Sequence, residues 1–366
     1  MTLPRMRAPA IHRASEVLAS VAVAGRPLSL AEITVAVQAP KSSVSSVCNA
    51  LASGGLLVRG DDGTFALGPR LAELGAAAHL TRPLVRRIGV TTPATSRRFF
   101  LAEVESIRQE AESLGAEMLH RSAAGDPRQQ AEHVREFLAW GADLIVVDPL
   151  AADGMADALS EAQAQGVPVV SINGVSSGAD AAVTTDNPQA GVLAGQFLAQ
   201  TLGYAGTVVL VDGTSATAVT DRVVGFLEAL RPYREIQVIE HLAGDNTEET
   251  ARGLVAALLE RGVRPDGFFG INDPTALGIA DACAAVGHAP PIVGVDGSEA
   301  ALNQIRSGGP IVASAAQDPY ELGRMGVQLG IELRSGVQPR QSTVLLPTTL
   351  IHAGLLNGYR AWDAAS

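Results

Sequence analysis

Cysteine, lysine and charge are scarce in this chain, and each scarcity removes a class of function. Cys48 and Cys283 are the only cysteines among 366 residues, and they lie far apart. Such a sequence offers neither a disulfide framework nor a cysteine-rich zinc site, and a reducing cytoplasm is the expected compartment. Lys41 is the sole lysine and heads no GxxxxGK(S/T) phosphate loop; no GxGxxG follows the apolar run Ile88–Val90. The seven histidines, His12, His79, His120, His133, His241, His288 and His352, show no metal-ligand spacing. No nucleophile can be paired with a base. An enzyme is therefore not expected, nor a metal or a cofactor. From Met1 to His12 there are basic residues but no apolar run of signal-peptide length, and nowhere do about 20 apolar residues follow one another. Neither export nor a membrane span is expected.

What is present is apolar and unevenly charged. With 47% hydrophobic and 18% charged residues the chain has the composition of an ordered protein, and its length calls for two or three compact units. The net charge of −11 counts against a nucleic-acid partner until it is divided. Met1–Arg87 carries ten Lys/Arg against five Asp/Glu, a balance of +5; the remainder carries 17 against 33, a balance of −16. The basic end is the candidate for phosphate contact.

Within that end, Ile11, Ala14, Val17, Leu18 and Val21 recur at helical spacing until Gly25-Arg26-Pro27 stops them. Ser29 and Glu32 have capping-box spacing and open a second helix to about Val37. A third helix is predicted from Lys41 to about Ser53, with Val44, Val47, Cys48 and Leu51 on one face and Ser42, Ser45, Ser46 and Asn49 on the other. Leu56–Val58 and Thr64–Leu67 flank Gly60-Asp61-Asp62-Gly63 as strand, turn and strand. Three helices and a hairpin make a winged helix. Through GRPLSLAEI, PKSSV, GGLLVRGDDGTFALG and PRLAELG, residues Arg13–Ala78 resemble the DNA-binding domain of IclR-type regulators. The resemblance implies that helix three enters the major groove with Lys41, Ser42, Ser43, Ser45, Ser46 and Asn49, and that Arg59 on the wing touches the backbone, with Arg26 and Arg70 as further phosphate candidates. Ser45 and Ser46 stand where that family carries larger polar or basic side chains, a departure that bears on base readout.

From Arg87 onward short apolar runs alternate with amphipathic stretches: Leu144–Val147, Val167–Val170, Val208–Val211, Phe268–Phe269 and Ile292–Val293. This predicts an α/β fold of parallel sheets covered on both faces. Ligands in such sheets bind beyond the carboxyl ends of the strands, and Asn173, Asn272, Asp296 and Gln317 each follow an apolar run. Phe99 and Phe100, expected in the loop after the first strand, can stack on a sugar ring, and Arg222 can donate several fixed hydrogen bonds.

The ordered motifs RRFF, TTDN, DRVVGF, INDPTALG, VGVDGSEA and AAQDP, spread over Arg87–Leu346, resemble the ribose-binding-like periplasmic binding proteins and the sensor domains of LacI-type repressors. The resemblance implies two Rossmann-like lobes of periplasmic binding protein type I, with Phe99 and Phe100 as ring-stacking aromatics, Arg222 as a polar clamp, and Asn272, Asp296 and Gln317 as hydroxyl binders. Arg97 stands where a small amide is usual, Asn173-Gly174 replaces an Asp-Arg pair, and Asn246 stands where relatives often stack an aromatic. An acidic or phosphorylated sugar is thereby left open beside a neutral one. Structural roles compete at several positions: Phe99 or Phe100 as core, Asp273 as a helix cap, Asp296 as a turn residue, Asn246 as a cap, Asp186-Asn187 as a crossing turn, and His120 and His133 as surface residues.

The expected organisation is a winged helix-turn-helix at 1–68, a linker helix at 69–86, a two-lobed sensor at 87–350 and a tail at 351–366. Lobe 1 is expected to take 87–185 and 318–342, and lobe 2 to take 186–317 and 343–350. The expected protein is a cytoplasmic transcription regulator, a homodimer on operator DNA whose affinity is set allosterically by a monosaccharide or derivative. The rivals are an extracytoplasmic sugar-binding protein of a transporter and, more remotely, a Rossmann-like enzyme.

Overall fold

The computed structural model describes residues 9–81, 85–94, 97–339 and 341–364, with backbone alone at 9, 12 and 76–81. The end of the expected linker at 82–84, the last two residues of the tail and the side chains of His12 and His79 lie outside the described residues. The chain divides into two compact units, Met1–Leu84 and Val85–Ser366.

In the first unit three helices, α1 (Pro9–Ala24), α2 (Leu30–Val37) and α3 (Lys41–Ser53), precede two strands, β1 (Leu57–Arg59) and β2 (Phe65–Leu67), and a helix, α4 (Arg70–Thr81). Val17, Val21, Ile33, Val44, Cys48, Leu57 and Phe65 form its core. The capping box forms in full: the Ser29 hydroxyl accepts from the Glu32 amide while the Glu32 carboxylate accepts from the Ser29 amide. The strands pair antiparallel, and Leu28 exchanges two backbone hydrogen bonds with Phe65. Each strand starts one residue later than predicted. Leu56 is claimed by the end of α3, where its amide donates to the Leu51 carbonyl, and Thr64 by the turn, where Asp62 accepts from its amide and hydroxyl.

The second unit contains two six-stranded sheets. Lobe 1 contains β3 (Arg87–Thr92), α5 (Arg98–Leu114), β4 (Glu117–Ser122), α6 (Pro127–Trp140), β5 (Leu144–Val147), α7 (Ala156–Ala164), β6 (Val169–Ile172) and β7 (Ala181–Thr185). Lobe 2 follows with α8 (Asn187–Thr201), β8 (Ala205–Val211), α9 (Thr217–Leu230), β9 (Glu235–Leu242), α10 (Glu248–Glu260), β10 (Gly267–Gly270), α11 (Asp273–Ala285), β11 (Ile292–Asp296), α12 (Glu299–Arg306) and β12 (Ile311–Ala316). The chain then returns to lobe 1 for α13 (Pro319–Arg334) and β13 (Thr343–Leu346), and ends in lobe 2 with β14 (Thr349–His352) and a short turn, Ala353–Leu355.

The sheet orders are β13-β7-β6-β5-β3-β4 and β14-β12-β11-β10-β8-β9, parallel except at β14. Strands β5, β6 and β10 are buried along their whole length, as two-sided coverage by helices requires. Of the segment 343–350 expected in lobe 2, residues 349–350 lie there in β14, but 343–346 belong to lobe 1. Val344 and Leu346 pair in register with Val183 and Thr185 of lobe 1, and the switch to lobe 2 follows at Pro347, which has no amide to continue the ladder. His120 and His133 are partly exposed and bonded to Thr92 and Thr91 of β3 at 2.9 and 3.0 Å.

Candidate functional site

The carboxyl ends of the strands in both lobes face a cavity of about 950 Å³, and all nine candidate residues, Arg97, Phe99, Phe100, Asn173, Arg222, Asn246, Asn272, Asp296 and Gln317, line it. Three of them, Asn173, Asn246 and Asp296, have positive φ (62°, 68° and 138°). Asn tolerates this region, whereas Asp296 at 138° is strained, and such strain concentrates where a side chain must be aimed.

Lobe 2 supplies the polar floor. Arg222 of α9 is buried; its Nε donates to the Asn187 carbonyl oxygen of the side chain at 2.8 Å and its Nη1 to the Ile271 backbone carbonyl at 3.1 Å, leaving Asp296 Oδ1 at 3.9 Å. The guanidinium can stand there because α8 and α9 pack backbone to backbone: a Cβ on Gly191 would lie 2.1 Å from the Arg222 carbonyl oxygen. Gln317 donates to Asp296 Oδ1 at 2.7 Å and accepts from Thr185 at 2.8 Å, joining the end of β12 to lobe 1. Burial pushes the Asp296 carboxyl up to about 6 against the opposing pull of Arg222 and Gln317, and burial lowers Arg222. Asp296 thus lines the cavity as a buried carboxyl whose charge is offset by Arg222 and Gln317.

Several structural roles differ from expectation. Asn272, not Asp273, caps α11, accepting from the Thr275 amide. Asp273 is buried and binds the amide and hydroxyl of Ser298 and the hydroxyl of Ser314. Thr247 caps α10, so Asn246 is not the cap; its side chain holds Thr214 of the facing loop. Asn187 holds Arg222, beyond the turn role expected of it.

Lobe 1 supplies the aromatic wall. Phe99 and Phe100 lie not in a loop but in the first turn of α5, edge to face at 6.2 Å, and both are half-buried. Arg97 precedes the helix and donates across the cleft to the Asp245 carbonyl at 3.4 Å. Asn173 donates weakly to Asp148 at 3.4 and 3.5 Å. Asp148 also lines the cavity and was missed, although it directly follows the apolar run Leu144–Val147. Glu103 faces it from α5, wholly buried, with no hydrogen-bond donor at either oxygen. Burial and then the charge of Asp148 push Glu103 well above the carboxylate range, and burial raises Asp148 to about 7. Burial and mutual repulsion thus favour the protonated form of both carboxyl groups. Trp362 and Asp363 of the tail also line the cavity, and no pattern in the sequence pointed to them.

In the first unit Lys41, Ser42, Ser46 and Asn49 are exposed on α3, Ser45 is half-buried, and Val44 and Cys48 face the core. The Ser43 hydroxyl is engaged by the Arg13 guanidinium, which ties α3 to α1. Arg59 is exposed on the wing with its guanidinium 5.8 Å above Phe65. Arg26 and Arg70 are ion-paired with Glu32 and Glu73.

Residues 88–337, more than half of the chain, match the periplasmic binding protein domain. The chain belongs to the periplasmic binding protein family. In this family member residues 10–61 also match the IclR helix-turn-helix domain, so a DNA-binding domain stands ahead of the binding-protein lobes in one polypeptide. The ribose import binding protein RbsB of Haemophilus influenzae is 25% identical over 266 residues, 72% of this chain and 90% of that protein. The xylitol-binding protein of Mycolicibacterium smegmatis is 29% identical over 262 residues, 70% of this chain and 75% of that protein. Among solved structures, an ABC transporter solute binding protein of Mycobacterium smegmatis with bound glycerol superposes with a TM-score of 0.72 at 27% identity, covering 77% of this chain and 100% of that one. The Caulobacter myo-inositol binding protein bound to myo-inositol has the same fold, with a TM-score of 0.70 at 23% identity over 75% of this chain and 96% of that one. Among the described residues of this family member, no helix is long and apolar enough to cross a membrane.

Proposed function

We propose that the chain is a cytoplasmic, DNA-binding transcription regulator whose operator affinity is set by a small polyhydroxylated ligand, a monosaccharide or derivative, held between the lobes. The observation that carries this reading is the union in one chain of an IclR helix-turn-helix domain with a binding-protein cleft that has an aromatic wall and a floor of hydroxyl partners. Phe99 and Phe100 stack on the ring. Asp296 and Asn173 accept or exchange hydrogen bonds with hydroxyls, and Arg222, Asn272, Asn246 and Gln317 orient that floor. The ligand favours one arrangement of the lobes and thereby one state of the dimer. Two chains pair over a two-fold operator, with Lys41, Ser42, Ser45, Ser46 and Asn49 toward the groove and Arg59 toward phosphate, while Ser43 acts through its bond to Arg13.

The charges around the cleft favour a neutral ligand over an acidic one. Asp148, Asp245, Asp296, Glu299 and Asp363 line it against Arg97, Arg98 and Arg222, and Arg97 is already turned to Asp245. The relatives' names favour a transporter's binding protein as the second reading, but that role leaves the IclR domain without a purpose. A thermal-shift screen of the full chain against neutral pentoses, hexoses and polyols, sugar acids and sugar phosphates tests the cleft. A neutral polyol is expected to raise the melting temperature, and Asp296→Ala to abolish the rise. A hit indifferent to Asp296 contradicts the proposed pocket.

A further inference from the structure

We propose that the segment after β14 is a strap across the mouth of the cleft, and that its Trp362 is a ligand-reading side chain that adds an aromatic surface from lobe 2 beside Phe99. The inference rests on the polyol-binding reading of the cleft.

The strap is anchored on lobe 2. Ala361 is buried with Leu302, Ala316 and Ile351. The Tyr359 hydroxyl donates to the Gly297 carbonyl at 3.3 Å, Trp362 Nε1 donates to the Asp296 carbonyl at 3.0 Å, and Asp363 accepts from the Glu299 amide at 2.7 Å. The amide of Glu299 belongs to the first turn of α12, which favours a carboxylate. Tyr359 fits closely enough that a Cβ on Gly297 would lie 2.6 Å from its hydroxyl.

From that anchor Trp362 and Asp363 reach lobe 1 through looser contacts. The Trp362 ring meets Phe99 edge to face at 5.5 Å, and Asp363 lies 3.7 Å from Arg98, whose side chain is 76% exposed. Among the described contacts of Tyr359, Ala361, Trp362 and Asp363, an apolar seat and three hydrogen bonds hold the strap to lobe 2, and one aromatic edge and one solvated ion pair hold it to lobe 1. When the lobes part, the strap therefore travels with lobe 2 and Trp362 leaves Phe99.

Among the described residues lining the cavity, Phe99, Phe100 and Trp362 are the aromatic ones, and Trp362 alone comes from the lobe 2 side. A ring bound between the lobes thus meets Phe99 and Phe100 from lobe 1, and from lobe 2 meets Trp362, which stands beside Phe99 at about a right angle to it. The same indole hydrogen bond ties Trp362 to Asp296, so the group that accepts the ligand's hydroxyls and the group that covers its apolar face move as one body.

The chain has two tryptophans, and the other, Trp140, lies on α6 beneath the Arg87 guanidinium at 5.4 Å and outside the cavity lining. Trp140→Phe in the full chain makes Trp362 the sole indole reporter. Ribose, xylitol, glycerol and myo-inositol are titrated into this variant, and the melting temperature of the unsubstituted chain is measured with each. The expected result is that a polyol that raises the melting temperature also changes Trp362 emission saturably. Trp362→Ala should then weaken that polyol about tenfold, with Trp362→Phe recovering most of the loss. A polyol that raises the melting temperature, leaves Trp362 emission unchanged and binds Trp362→Ala equally well overturns the strap and leaves the cleft reading intact. If none of the four raises the melting temperature or changes the emission, the cleft reading fails for these polyols and the strap's role falls with it. Should Trp362→Ala not fold, the emission titration decides alone.

Discussion

Replacing Asp148 by Asn takes one of the two titrations out of the buried carboxyl pair while keeping its volume and offering Glu103 an amide donor. The wild-type group sits at about 7 instead of 3.8 because burial penalises its charge, and holding it there corresponds to about 4 kcal/mol. The sign follows from proton binding. Between pH 4 and 7 the folded state holds a proton at Asp148 that the unfolded state has released, so this contribution is present below about pH 4 and is lost as the pH rises through about 7. Glu103, shifted in the same direction by burial and by Asp148, steepens the decline. Urea denaturation of ligand-free wild type and Asp148→Asn at pH 4, 5, 6, 7 and 8 gives a difference in which titrations away from the pair cancel and that of Glu103, relieved of the Asp148 charge, is included. Near pH 4 the two should be similar; by pH 8 the variant should be the more stable by up to about 4 kcal/mol. A difference that does not change with pH, or a variant less stable at pH 8, refutes the buried carboxyl pair with raised pKa values.

Gly191→Ala places a methyl group 2.1 Å from the Arg222 carbonyl; urea denaturation should show a loss of about 1–3 kcal/mol, and ligand affinity should fall because Arg222 is displaced with α9. Asn187→Ala removes the acceptor of the buried Arg222 Nε; a charged hydrogen bond of about 1.5–3 kcal/mol is lost, and calorimetry should find polyol binding at least about tenfold weaker. Lys41→Ala should weaken DNA binding across all sequences and reduce the slope of log K against log salt by about 0.9 for each phosphate contact removed, as read by fluorescence anisotropy over a salt series.

The fold was legible wherever local pattern and tertiary demand agree. Unbroken apolar runs such as Leu144–Val147 can only be strands covered on both faces, and polar residues directly after such runs converge because parallel strands all end on one side of a sheet. Glu103 was missed for the opposite reason: a charge inside a helix reads as solvated, although its spacing from Phe99 and Ile107, four residues on either side, places it on the buried face. Asp148 satisfied the strand-end rule and needed only its application. The assignment of β13 depended on a switch between sheets at Pro347, which periodicity does not report. Trp362 lies beyond the last strand in a segment without repeat or pattern, so its place over the cleft follows only from tertiary packing. Ser43 looked like a groove residue by helical phase, and its engagement by Arg13 of another helix is a long-range contact that phase cannot reveal.

The central claim is that one chain couples a polyol in the cleft to affinity for DNA. Its most direct test is fluorescence anisotropy of the full chain on DNA fragments flanking its own gene, at fixed salt, with and without the polyol that raises its melting temperature. The account predicts a fragment bound with a dissociation constant of about 10⁻⁸ M or tighter, the range of specific DNA complexes, that shifts about 5- to 150-fold with ligand, and a reciprocal shift of the same factor in polyol affinity when DNA is present. DNA binding that is indifferent to a ligand demonstrably seated in the cleft contradicts it.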